Sequence, residues 1–260
     1  GVIPLFAVAT NEADMIAEHF PDYRRRFLWF IEDRSKMLHS IADLQKVGLK
    51  ERILLAFTNA VKLSTILKKV LDEEQFLSRH GIRSVSKRHA KHPFIIHFKE
   101  KTFKLDYEPA ESTTDLFGGN SNWRGPVWFP LNFLFIESLR KFYYYYGKDF
   151  KVECPTGSGK QSNLWEVASE LSSRLIHIFL KDQDGRRPLY GGIEKFQNDP
   201  HWRDYLLFHE YFNGENGAGL GASNQTGWTA LVANMIHQHG EYAALHEQWE
   251  VIEKENMGYI

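Results

Sequence analysis

Glu210 is the carboxylate of this chain whose surroundings could do chemistry. It closes the apolar, aromatic run that starts at Leu206, and a polar turn follows it. That turn holds Gly214, Gly217, Gly219 and Gly221 within eight residues. Glycines this dense suit a backbone that bends sharply, takes positive φ, or lets a ligand approach closely. Ser223, Asn224, Gln225 and Trp228 then add hydrogen-bonding groups and a flat apolar face. A carboxylate, amides and an indole beside a glycine-rich loop are what a sugar site needs. The polar groups meet the hydroxyls, and the aromatic face meets the C–H side of the ring. An ordinary interhelix loop with a surface glutamate would contain the same residues, so this stretch by itself leaves both readings open.

A second stretch, Asp106–Trp128, is rich in Gly, Ser, Thr and Asn yet holds Trp123, Arg124 and Trp128. Binding residues concentrate on loops that carry rigid aromatics and arginine. The competing reading is a buried tryptophan cluster with Arg124 capping a carbonyl. The nearby acids Asp106, Glu108, Glu111 and Asp115 fit best as groups that orient Arg124 or the loop.

Other motifs fail on spacing. Residues 154–161, CPTGSGKQ, lack the opening glycine and the Ser or Thr after lysine that a phosphate-binding loop requires. The glycines of 217–222 match a dinucleotide fingerprint only loosely, with no strand expected before them. Twelve histidines include no HExxH, and His237 and His239 diverge on a helix, so no metal is expected. His209 would likewise point away from Glu210 on a helix. No serine has a nucleophile-elbow context and Cys154 has no evident base partner, so neither covalent catalysis nor a cofactor is expected.

The elements that must position these loops are mainly helical. Asn11–Arg34 reads as one or two helices broken at Pro21, with Phe20, Phe27, Leu28 and Ile31 on one face. A second amphipathic pattern runs from Asn59 to about Glu74, its lysines on a solvated side. Phe76–His92 reads as loop. From Pro93 to Tyr107 the period becomes two-like, which predicts a β-hairpin; a lone hairpin is marginal in water, so it should lie against helices. Pro126 and Pro130 suit the first turn of a helix that runs to Tyr146 and stops at Gly147. That helix is apolar almost all round, which predicts a central position. Gln161–Lys181 is the clearest amphipathic helix, with a capping arrangement at Asn163 and Glu166. A short helix or turn in Asp199–Tyr211, a helix at Thr226–His239 and a polar-faced one at Glu241–Glu255 complete about seven helices and one hairpin.

The composition fits one large domain over residues 1–260. Of the 260 residues 43% are hydrophobic, enough for a sizeable core, and the net charge of −1 gives no reason to expect nucleic acid or an acidic membrane surface as partner. No apolar run reaches the roughly 18–20 residues of a membrane-spanning helix, so no membrane is expected. A single cysteine and no recognisable leader fit a reducing, cytoplasmic location. The first residues start in mid-pattern without Met, which suggests a fragment.

Taken together, GGNSNWRGPVWFPLN at 118–132 and HEYFNGENGAGLGASNQTGWTALV at 209–232 resemble glycoside hydrolase family 63. The likeness extends through GVIPLFAV at the start, FLSRHGIRSVS at 76–86, VECPTGSGK at 152–160 and RPLYGG at 187–192, and so covers most of the chain. It is nearest to the glucosidase-like and mannosylglycerate hydrolase-like branches. The resemblance implies the C-terminal portion of an (α/α)6 toroid, roughly half of it, and an inverting α-glycosidase. Such enzymes use an acid and a base carboxylate about 6.5–9.5 Å apart. Glu210 matches the family's general base; its acid, an Asp in an earlier loop, has no counterpart here. Trp123, Arg124 and Trp128 match positions that line the sugar subsite, with Gln225 and Trp228 as weaker candidates. The substrate would be a small or oligosaccharide α-glycoside, the remainder of the parent chain would complete the site, and the isolated fragment would be inactive. The alternatives are a non-catalytic carbohydrate-binding or scaffolding toroid, and a trehalase-like or glucoamylase-like hydrolase.

Overall fold

The computed structural model describes residues 2–34, 46–113 and 123–241. Strand β1 (Val8–Glu12) leads into helices α1 (Ala13–His19) and α2 (Pro21–Asp33). Strand β2 (Arg52–Ala56) then pairs antiparallel with β1, Val8 opposite Ala56. Helix α3 (Ala60–Val70) follows, capped by the Asn59 side chain, which accepts from the Lys62 amide at 3.0 Å. A tight pair, β3 (Leu77–Ser78) with β4 (Gly81–Ile82), and the hairpin of β5 (Phe94–Phe98) with β6 (Lys101–Leu105) precede helix α4 (Phe129–Tyr146). Beyond it come β7 (Lys151–Glu153), β8 (Gln161–Asn163), α5 (Leu164–His177) and the short α6 (Glu194–Asn198). The last labelled elements are β9 (Tyr211–Phe212), β10 (Gly219–Leu220) and α7 (Thr226–Thr229), and residues 231–241 are helical again. The protein is mainly α, and among the described residues its strands form only two-stranded ladders.

Helices α4 and α5 pack on each other and form the centre. Phe135, Ile136, Leu139 and Phe142 of α4 are buried against Leu164, Ala168, Leu171 and Leu175 of α5. Burying each large side chain favours folding by about 1.5–3 kcal/mol, which is why these two helices dominate. The capping box at Asn163 is present: its side chain accepts from the Trp165 and Glu166 amides, and Glu166 accepts from the Asn163 amide at 2.8 Å. Asn132, a buried polar group in α4, is fully engaged. It accepts from the Ile82 amide at 2.7 Å and donates to the carbonyls of Ile82 and Trp128, tying β4 to the start of the helix.

The structure departs from sequence periodicity where an apolar face lacks a partner. Pro21 does separate two helices, but in α2 only Ile31 is buried, while Phe20, Leu28 and Trp29 are exposed. The hairpin β5–β6 forms where expected, yet every residue of β5 is exposed, so it does not lie against helices among the described residues. The segment 76–92, expected as loop, contains the β3–β4 pair. Helix α4 starts at Phe129, not Pro126, because Val127 is drawn into backbone bridges with Arg83 and Phe212. Gln161 belongs to β8 and not to the following helix. The turn 154–160 holds its own anion: Glu153 accepts from the Gly159 amide at 2.6 Å. Backbone bonds from Gly157 and Gly159 hold the Glu153 carboxyl below its ordinary value, so no phosphate is needed there. The helix expected at Glu241–Glu255 lies outside the described residues beyond 241.

Candidate active site

Glu210 stands at the open end of the β9–β10 hairpin, in a bend one residue before β9, not on a helix. Its amide donates to the Ala222 carbonyl at 2.8 Å, and its Oε2 accepts from the Ala222 amide at 3.2 Å. Among the described residues its Oε1 takes no hydrogen bond. The carboxylate is partly exposed, so one oxygen is fixed by backbone and the other is open. Gly221, at φ +67°, is what allows this: a Cβ there would stand 2.7 Å from Glu210 Oε2 and 2.6 Å from the Tyr211 ring. His209 is half-buried against Gly219, and burial lowers its pKa, partly opposed by a backbone hydrogen bond.

An aromatic stack runs beside this carboxylate. The rings of Trp123 and Trp128 lie parallel with centroids 4.1 Å apart, and Tyr211 stacks on the other side of Trp128 at 4.8 Å. Trp228 meets Trp128 edge-on at 6.0 Å, and its indole N–H donates to the Glu210 carbonyl at 3.1 Å. The anticipated residues Trp123, Trp128, Trp228 and Glu210 therefore converge. Their accessibility differs. Trp128 is 3% exposed and covered on both faces, so it supports the stack; Trp123 and Trp228 are partly exposed and can present a face or an edge to a ligand. Gln225 contributes through its backbone, donating to the Phe208 carbonyl at 2.6 Å and closing the loop that carries Trp228.

Arg124 does not reach a ligand. It is 2% exposed, and its Nη2 meets Glu108 Oε2 and Ser112 Oγ, each at 2.5 Å. The resemblance implied a place in the sugar subsite, but the guanidinium is taken by the Glu108 carboxylate. Glu108 also accepts from the Thr113 amide and hydroxyl, so the loop wraps the guanidinium. A desolvated cation must be paired in this way. Glu108 thus orients Arg124, as its position suggested; Asp115 lies outside the described residues.

Several contributors were not singled out beforehand. Tyr211 bridges the stack to Glu111, donating its hydroxyl at 3.0 Å. Tyr107 is buried and donates to Glu215 at 2.5 Å. A tyrosine following the key glutamate is a usable signal, but only the folded chain puts residues 107–111 beside it. The glycines after Glu210 also serve packing within the protein. A Cβ at Gly214 would strike the Gly125 carbonyl, one at Gly217 the His80 ring, and one at Gly219 the His209 ring. The close approach expected at a sugar is, at these three positions, an approach to the chain's own groups.

A cavity of about 730 Å³ borders this site without containing its carboxylate. Trp123 and Trp128 line it, with Ile66, Val70, Leu131 and Phe135, but Glu210 does not. Its walls are mainly apolar and Asn132 is already engaged there, so the open edge of the stack near Glu210 suits a sugar better. Among the described residues no group of three or more His, Cys, Asp or Glu is arranged to hold a metal, and no helix is long and apolar enough to cross a membrane.

A carboxylate with one tethered and one open oxygen beside an indole stack is the layout of a carbohydrate site, and the family comparison agrees. Residues 53–229 match the mannosylglycerate hydrolase MGH1-like glycoside hydrolase domain, and the chain belongs to that family. It is 50% identical over 243 residues to an uncharacterized protein of Saccharomyces cerevisiae, covering 92% of this chain and 22% of that protein. It is 25% identical over 179 residues to the mannosyl-oligosaccharide glucosidase of the same yeast, 68% of this chain and 15% of that enzyme. A probable mannosyl-oligosaccharide glucosidase of Schizosaccharomyces pombe is 25% identical over 180 residues, 68% of this chain and 16% of that protein. The chain therefore spans about a fifth or less of the length of these relatives.

Proposed function

We propose that this chain carries the general base of an inverting α-glycosidase, with an α-glucoside as the substrate class. Glu210 takes the proton of the attacking water, and Trp123 and Trp228 hold the sugar by its C–H face. The observation that carries this reading is the state of Glu210. The Ala222 amide holds one carboxylate oxygen while the other takes no hydrogen bond among the described residues, which leaves it available to a water. The names of the two glucosidases among its relatives support glucose over other sugars. Inversion also needs a carboxylic acid on the opposite side of the bond. The acids of residues 106–113 are paired within the protein, Asp106 with Lys104, Glu108 with Arg124 and Glu111 with Tyr211. In this reading the acid comes from elsewhere in the parent protein, and the 260 residues alone turn nothing over.

The test is Glu210→Gln in the full-length protein with 4-nitrophenyl α-glucoside. The expected result is a fall in kcat of about 10²–10⁴ with unchanged fold, the range for loss of a general base. The first-formed anomer of the wild-type product, read by proton NMR, should be β. Retained hydrolysis in Glu210→Gln removes the base assignment, and an α product removes inversion.

A further inference from the structure

Glu215 sits in the turn between β9 and β10, and no substrate-facing role falls to it, yet it is the most heavily tied acid near the site. Its Oε1 accepts from the Tyr107 hydroxyl at 2.5 Å and meets Arg83 Nη2 at 3.2 Å. Its Oε2 meets Lys87 Nζ at 2.9 Å. Arg83 is 5% exposed and cannot follow a moving partner, because its Nη1 donates to the carbonyls of Leu77 and Glu73 at 2.5 and 3.2 Å. The guanidinium also lies over the Tyr107 ring, 5.9 Å from its centroid. The turn's backbone adds two more ties. The Glu215 amide donates to Asn213 Oδ1 at 2.8 Å, and the Gly214 amide donates to the Pro109 carbonyl at 2.8 Å.

These ties hold one end of a short lever whose other end is Glu210. The ladder between them is two residues long, Gly219 opposite Phe212 and Leu220 opposite Tyr211, and Glu210 is the next residue out. A two-stranded ladder is too weak to keep its own orientation in water, so its direction is set by the bridge from Phe212 to Val127 together with whatever grips the turn. The segment 107–111 grips it and reaches the aromatic side as well. Tyr107 goes to Glu215, Glu108 to Arg124 beside Trp123, and Glu111 to Tyr211. One strap thus sets the hairpin against the indole stack.

We propose that Glu215 is a positioning residue for Glu210, clamping the β9–β10 turn to Arg83, Lys87 and Tyr107 so that the open carboxylate oxygen keeps its place beside the stack. This rests on the reading of Glu210 as the base. Removing the charge leaves Arg83 buried without its carboxylate and frees the turn to tilt; a misplacement near 1 Å is enough to slow a reaction by orders of magnitude.

The experiment uses the full-length protein and 4-nitrophenyl α-glucoside. Glu215→Gln should lower kcat per folded molecule about tenfold with KM within about twofold, because contact with the sugar is unchanged. Amide hydrogen exchange at residues 210–212 should speed up in the same variant, with exchange in α5 unaltered. Tyr107→Phe removes a single oxygen and serves if Glu215→Gln folds poorly. It should show the same pattern more weakly, and the double variant should fall short of the product of the two effects. Wild-type kcat in folded Glu215→Gln, or a raised KM with kcat intact, overturns the proposal. If Glu210→Gln retains hydrolysis, the base reading fails by itself. The exchange data then decide separately whether Glu215 holds the hairpin, and unchanged exchange at 210–212 overturns that too.

Discussion

The aromatic knot around Glu210 and the helix pair α1–α2 are both rich in large apolar side chains, but only one of them is closed. In the knot, Trp123, Trp128 and Tyr211 stack in series with Trp228 edge-on to Trp128, and the polar groups beneath them are paired: Arg124 with Glu108, Arg83 with Glu215, Tyr211 with Glu111. In α2, Trp29 is 62% exposed, and Phe20, Leu28 and Phe30 are also exposed. The hairpin β5–β6 is exposed in the same way through Phe94, Ile95, Ile96 and Phe98. What separates the two regions is the partner, not the residue types. The knot joins two distant loops through residues 107–111; in it Trp128 and Tyr211 are buried, and only part of Trp123 and Trp228 is left exposed.

Substitutions should divide the regions sharply. The largest effect on stability is expected for Trp128→Ala, which empties the middle of the stack. A loss of about 3–5 kcal/mol is expected by chemical denaturation. Next comes Glu108→Gln, which leaves the Arg124 guanidinium buried against a neutral partner. Removing one member of a buried pair costs about 3–5 kcal/mol, and the partial exposure of Glu108 places the effect at about 3. A loss under 1 kcal/mol would mean that the loop re-pairs and that the knot is less closed than described.

The pH dependence comes third. Burial and the nearby Arg79, Arg174 and Arg83 push His80 from 6.5 down to about 4, with Glu215 opposing. A depressed histidine pKa means that the unfolded chain binds more protons than the folded one between these values, so stability must fall as pH drops from about 6.5 towards 4. His80→Gln should flatten that part of the profile, measured by thermal unfolding at several pH values. An unchanged slope would show that His80 takes up its proton over the same pH range folded and unfolded. Glu215 acts lower. Burial would raise its pKa, but Tyr107, Lys87 and Arg83 outweigh this and hold it below 4.5. The stability it contributes is therefore present above its unfolded value and is lost in stronger acid.

The smallest effects belong to the open region. Ile96→Thr and Trp29→Ser should each change the stability of the 260-residue chain by less than about 0.5 kcal/mol, the usual range for surface positions. If either costs 2 kcal/mol or more, that face is covered in solution and the contrast with the knot disappears.

Much of the frame was legible beforehand. The capping signal at Asn163 and Glu166, the stop at Gly147 and the break at Pro21 depend on neighbours in sequence, and they appear where expected. The start of α4 did not, because Val127 answers to Arg83 and Phe212, both far away in the chain. The site divides in the same manner. Glu210, Trp123, Trp128 and Trp228 could be singled out by type and motif, and they do converge. That Arg124 and Trp128 are interior supports, that Gly217 and Gly219 pack on histidines, and that Tyr107 and Glu215 belong to the site could not be read from spacing.

By itself the amino-acid sequence determined that the protein is mainly α, with a nearly all-apolar helix at its centre and a carboxylate ahead of a glycine-rich turn, since periodicity, caps and turn residues act over a few positions. Only the tertiary structure decided which polar groups are occupied. Whether a carboxylate is a tie or is open for chemistry depends on what stands within about 3 Å of it. For Glu108, Glu111 and Glu215 that is a residue remote in the chain. For Glu210 one oxygen is tied by the backbone and the other is left open.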